Sequence, residues 1–140
     1  KALQEKNVAS IAISGKLEKN VRQAIRELVR RGYKDVVLVG GSSGGAAVLN
    51  TMEQVTAIDV VSAVAMLSPV RGNPMDDQPV RKLFMVSEQE KSYDKVLGLY
   101  EGSMEPKDLI TFPGNAHAQF LFFGPTREQT TEALINFITQ

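Results

Sequence analysis

Short runs of branched apolar residues alternate along this chain with longer stretches in which apolar positions recur every three or four residues. Such alternation predicts strands and helices in βαβ succession. The first run, Val8–Ser14, predicts a strand, and Lys16–Arg31 predicts a helix that buries Leu17, Val21, Ala24, Ile25, Leu28 and Val29 and ends at Gly32. Asp35–Gly40 carries Val36, Val37, Leu38 and Val39 in a row, the pattern of a central parallel strand covered on both faces, and a helix from about Gly44 to Met52 follows. Val60–Leu67 predicts a third strand, and the Gly- and Pro-containing stretch Val70–Pro79 the main loop. A strand at Arg81–Ser87, a helix at Ser92–Glu101 that packs Val96, Leu97 and Tyr100, and a strand at Leu109–Phe112 complete the series. The last helix opens at Thr126, with Gln129 placed to reach back to the cap, and buries Ala133, Leu134, Phe137 and Ile138. The whole predicts one domain over residues 1–140: an α/β, three-layer αβα sandwich on a mainly parallel sheet of about five strands.

Composition narrows the chemistry. At 140 residues one core is expected, and 16 basic residues balance 16 acidic ones, so no net field draws the chain to nucleic acid or an anionic membrane. Cysteine is absent, which excludes disulfides, thiolate metal sites and a thiol nucleophile. One histidine and no cysteine make a metal site an unpromising reading, and no cofactor motif is present. The longest apolar stretch, Val60–Leu67, is far short of the roughly 20 residues of a membrane-spanning helix. Lys1–Asn7 is polar with no apolar signal-peptide core behind it, and without an initiator Met the chain is expected to begin inside a longer sequence.

Ligands of parallel sheets bind beyond the carboxyl ends of the strands, so the residues that follow each strand carry the functional information. After the second predicted strand comes Gly40-Gly41-Ser42-Ser43-Gly44-Gly45, which contains G-x-S-x-G as Gly41, Ser43 and Gly45. The motif makes a sharp strand-to-helix turn that exposes the serine hydroxyl, and small flanking residues let the turn close. Ser43 is thus the expected nucleophile, with the Gly44 amide at the helix N-terminus as its oxyanion donor. A Gly-rich phosphate cradle is the competing reading, but neither G-x-G-x-x-G nor a P-loop lysine is present.

A serine hydroxyl needs a base, and His117, in the loop after the fifth predicted strand, is the one histidine. A carboxylate must in turn fix its tautomer. Val86-Ser87-Glu88-Gln89-Glu90 offers two acids; Glu90 is favoured because it stands further from the strand, while Ser87 and Glu90 also fit a capping box. Glu88, Asp94, Asp76 and Asp77 are the alternatives.

These segments resemble the α/β-hydrolase superfamily, particularly its small esterase and dienelactone-hydrolase-like branch. Val36–Ala46 is similar to the family's nucleophile strand and elbow, Leu83–Glu90 to its acid strand and loop, and Pro113–His117 to its histidine loop; the order Ser, acid, His also agrees. The resemblance implies an acyl-enzyme on Ser43, with His117 as base and then acid. The family usually has eight strands with the elbow on the fifth, whereas one predicted strand precedes it here. The N-terminal strands and the loop carrying a second oxyanion amide are therefore expected to be missing, which lowers turnover by about 100- to 1000-fold and leaves an exposed sheet edge for a homodimer or a partner chain. The expected function is hydrolysis of a small carboxylic ester or thioester. The alternative is a non-catalytic flavodoxin-like or degenerate hydrolase module that binds an anion or a protein partner.

Overall fold

The structure, a computed structural model, describes residues 2–15, 17–54 and 59–140. In chain order the elements are α1 (Ala2–Glu5), α2 (Leu17–Arg30), β1 (Val36–Gly41), α3 (Ser43–Gln54), β2 (Val61–Leu67), β3 (Arg81–Ser87), α4 (Tyr93–Gly102), β4 (Lys107–Phe112), two 3-10 turns at Ala118–Phe122 and Gly124–Thr126, and α5 (Arg127–Ile138). Lys16, placed by sequence at the start of the second helix, lies outside the described residues. All strand pairs are parallel, and the order in space is β1-β2-β3-β4.

Alternation along β2 and β3 divides the core into two layers. Val64, Met66, Phe84 and Val86 face Val21 and Ile25 of α2, Val48, Leu49 and Met52 of α3, and Val96 and Leu99 of α4. Ala63, Ala65, Leu67, Leu83 and Met85 face the other way, onto Leu121 and Phe137. The result is the expected αβα sandwich, with four strands among the described residues where about five were predicted.

The missing strand is Val8–Ser14. Strand formation requires a neighbouring strand for the backbone N–H and C=O groups, and among the described residues none pairs with this segment. It lines a cavity of about 430 Å³ together with Val36–Val39 of β1, and is tethered where the Asn20 amide donates to the Ser14 carbonyl. Consequently β1, whose apolar run reads as a central strand, stands at an edge with Val39 46% exposed. On α2, Val29 is also exposed, because the helix docks on its Val21–Ile25–Leu28 stripe and Val29 falls outside it. No helix among the described residues is long and apolar enough to cross a membrane.

Lys82, the second residue of β3, is fully buried. Its ammonium donates to the carbonyls of Gln78 (2.5 Å) and Val80 (2.8 Å), capping the end of the loop that leads into the strand. Burial pushes its pKa below the ordinary lysine value of 10.5, with Glu105 opposing and Lys107 reinforcing the shift. Lys82→Met keeps the aliphatic stem but strands both carbonyls, and is expected to lower the unfolding free energy by about 1–3 kcal/mol in urea titrations at pH 7. Between the lowered folded-state pKa and 10.5 the unfolded chain binds more protons, so wild-type stability from this group rises with pH; the gap to Lys82→Met should widen as pH approaches 10.5.

Candidate active site

The register of the parallel pairs brings the strands to a common level at their carboxyl ends: Gly41 lies beside Leu67, Leu67 beside Met85, and Ser87 beside Phe112. Just past β1 the chain turns into α3 through Ser42, whose φ of 54° is left-handed. Its N–H donates to the Leu67 carbonyl at 2.9 Å, and its own carbonyl accepts from Ala46 N–H at 3.1 Å, so the residue is tied to both β2 and the new helix. The turn is tight enough that a Cβ on Gly40 would lie 2.3 Å from the Gly44 carbonyl oxygen. Only glycine fits there.

Those contacts fix which serine sits at the apex. The run Gly40–Gly45 satisfies G-x-S-x-G in two registers, and the fold adopts the one centred on Ser42, with Gly40 and Gly44 as its glycines rather than Gly41 and Gly45. Ser43 is the first residue of α3; it is exposed and makes no hydrogen bond to His117 among the described residues. Correspondingly, the amide that follows the apex serine belongs to Ser43 and not to Gly44. Gly41 serves a different purpose, since a Cβ there would stand 3.3 Å from that of Ala118: it lets the histidine loop close over the end of β1. Gly45 has Pro69 and the Gly40 carbonyl at 3.1 Å from its Cβ position, which seats α3 on the loop after β2.

His117 arrives from the loop after β4. Its Nε2 is 2.9 Å from Ser42 Oγ, and its Nδ1 is 2.6 Å from Glu90 Oε2. The Glu90 side chain is 3% exposed and the imidazole 37%, so the chain of three groups runs from a buried acid to a half-buried serine. The second carboxylate oxygen of Glu90 is buried and has no hydrogen-bond partner among the described residues, which leaves the imidazole as the group toward which this carboxylate is directed. The two ring nitrogens thus face different partners, Nδ1 the acid and Nε2 the hydroxyl.

The other acids are spoken for or distant. Glu88 Oε1 accepts from Thr111 Oγ1, Asp94 is exposed in the first turn of α4, and Asp76 and Asp77 line a separate cavity with Leu49 and Glu53. The capping box suggested by Ser87 and Glu90 does not form: α4 starts at Tyr93 with Ser92 as N-cap, and Ser87 Oγ donates instead to the Ala116 carbonyl. Zipping of the two loops, with Glu88 N–H on the Phe112 carbonyl and Gln89 N–H on the Gly114 carbonyl, both at 2.9 Å, delivers Glu90 to the histidine. Among the described residues no group of three His, Cys, Asp or Glu side chains is arranged to hold a metal.

No protein-family model and no curated protein matches this sequence. Solved structures do match in shape. A monoacylglycerol lipase of Paleococcus ferrophilus superposes with a TM-score of 0.72 at 14% identity, over 87% of this chain and 73% of its own. An esterase domain of a Rhodothermus marinus protein gives 0.66 at 18% identity, over 85% and 66% of the two chains. The chain has the α/β-hydrolase fold. An N-acyl homoserine lactone degrading enzyme gives 0.66 at 10% identity, over 93% of this chain and 78% of its own. At these identities the likeness concerns the α/β-hydrolase architecture alone, and this chain spans 66–78% of the length of each match.

The elbow geometry is testable through its glycines. Gly40→Ala must displace backbone and is expected to cost more than about 2 kcal/mol, whereas Gly44→Ala meets nothing within 4 Å and, inside a helix, should be neutral or stabilising by up to about 1 kcal/mol. Chemical denaturation of the two variants checks this; the reverse ranking would mean that the turn is built in the other register.

Proposed function

We propose that this chain is a serine hydrolase that cleaves a small carboxylic ester or thioester through an acyl-enzyme on Ser42. The observation that carries the reading is the Ser42–His117–Glu90 hydrogen-bond chain, at 2.9 and 2.6 Å, on the rim where the strands end. In the first step Ser42 Oγ attacks the carbonyl carbon while its proton passes to His117 Nε2, and Glu90 stabilises the imidazolium through Nδ1–H. The tetrahedral oxyanion is met by the Ser43 amide, one of the first amides of α3, which have no intrahelical acceptor and sit at the positive end of the helix dipole. Collapse breaks the bond to the alcohol or thiol, which leaves with the proton from Nε2. Water then repeats the sequence on the acyl-enzyme, with Nε2 as base, and releases the acid and Ser42. No step calls for a metal or an organic cofactor.

A fluorophosphonate probe and intact-mass spectrometry test this directly. Wild type and Ser43→Ala should each gain one adduct and Ser42→Ala none, and kcat/KM toward p-nitrophenyl acetate should fall by about 10³-fold or more in Ser42→Ala and His117→Ala. Absence of any adduct on wild type would favour a module that binds an anion or a partner without chemistry.

We further propose that the free edge of β1 pairs with a second copy of this chain. Supporting this, Ile11, Ile13 and Val39 are exposed beside a strand that offers unpaired backbone groups on its outer side. Sedimentation velocity should find a dimer for wild type and a monomer for Val39→Lys, whose charge blocks edge pairing; a monomer at every wild-type concentration discards the proposal.

A further inference from the structure

His117 is gripped on both flanks. The carbonyl of Ala116 accepts from Ser87 Oγ at 2.7 Å, and the N–H of Ala118 donates to Ser68 Oγ at 3.1 Å. Both serines are fully buried, one at the last position of β3 and the other directly after β2, so the two hydroxyls project from neighbouring strand ends. Neither makes a hydrogen bond to Ser42 or to the imidazole among the described residues.

The backbone around this grip is strained. Ser68 (φ 48°) and Ala118 (φ 49°) both adopt the left-handed conformation without being glycine, as does Ser42 (φ 54°). That conformation is unfavourable for a residue with a Cβ and persists only where its surroundings impose it. Ser68 is imposed by its N–H, which donates to the Met85 carbonyl at 2.8 Å; Ala118 is imposed by its contact with Gly41 and by the Ser68 hydroxyl. Two strained residues on separate loops are thus joined by one hydrogen bond, next to the histidine and above the elbow.

We propose that Ser68 and Ser87 form a two-point clamp on the peptide groups that bracket His117, fixing the height and plane of the imidazole so that Nε2 faces Ser42 while Nδ1–H faces Glu90. They are positioning residues, and the proposal rests on the reading of His117 as the base. An anchor meant only to hold the loop could bond anywhere along Pro113–Ala118, and the zipper to Glu88 and Gln89 already does so. The serine bonds instead fall on the two residues adjoining the histidine, where a displaced peptide group tilts the ring.

Ser68→Gly and Ser87→Ala test the clamp. Glycine suits a left-handed position, so Ser68→Gly removes the hydroxyl while relieving strain and should not lower the melting temperature. Each variant should lose about 10- to 100-fold in kcat on p-nitrophenyl acetate with little change in KM, and Ser87→Thr, which keeps a hydroxyl, should recover most of it. Because His117 is the only histidine, its ring nitrogens are unambiguous in a long-range proton–nitrogen correlation spectrum. Wild type should show the single neutral tautomer protonated on Nδ1, and both variants a mixture. Unchanged kcat and ring signals, or a loss of kcat that merely follows loss of folded protein with the tautomer intact, overturns the clamp. A wild type without esterase activity would sink the catalytic reading alone, and the ring spectrum of the variants would still decide the clamp.

Discussion

The closure of the turn between β1 and α3 governs the rest of the arrangement. With the Gly44 carbonyl lying where a side chain of residue 40 would be, the helix starts as close to the strand end as two backbones permit, and Ser42 is forced into the left-handed conformation at the apex. From that apex its amide points to the Leu67 carbonyl and its hydroxyl to the rim. A turn one residue longer would lose the tie to β2 and carry the hydroxyl away from the histidine. The strain is sustained by cooperative packing around it, since α3 seats on Pro69 and the histidine loop closes over Gly41.

Around that apex the polar groups are graded by burial. Glu90 lies almost wholly out of water, His117 is partly open, and Ser42 faces the rim. A buried carboxylate with one oxygen unpaired is costly to desolvate, and its interaction with an imidazolium gains strength from the same low dielectric. The loops that carry these groups are joined to one another by backbone and serine hydrogen bonds, directional contacts that set their relative placement.

Apolar surface is distributed unevenly. The β2 and β3 strands are enclosed on both faces, while β1, no less apolar in sequence, keeps a valine in the open and a cavity along its outer side. None of Ser42, Glu90 or His117 lines that cavity, so it belongs to the edge and not to the site. An apolar strand of central character at an edge is the surface on which the proposed pairing with a second copy rests.

Periodicity alone determined the alternating elements, the parallel sheet and the helices that cover it, because burial of an apolar face leaves a repeat of two or of about 3.6 in the sequence. Scarcity pointed to His117 as the candidate base, since the sequence holds one histidine, and loop position favoured Glu90 as its partner. Tertiary structure decided what spacing could not. A run of four glycines around two serines reads equally well in two registers, and only the clash at Gly40 places Ser42 at the apex and moves Ser43 into the helix. Whether Val8–Ser14 becomes a strand depends on a partner's hydrogen-bonding edge, which a pattern of side chains does not encode. Ser68 and Ser87 were invisible as a pair, for their shared role on either side of His117 arises from strands adjacent in space and far apart along the chain.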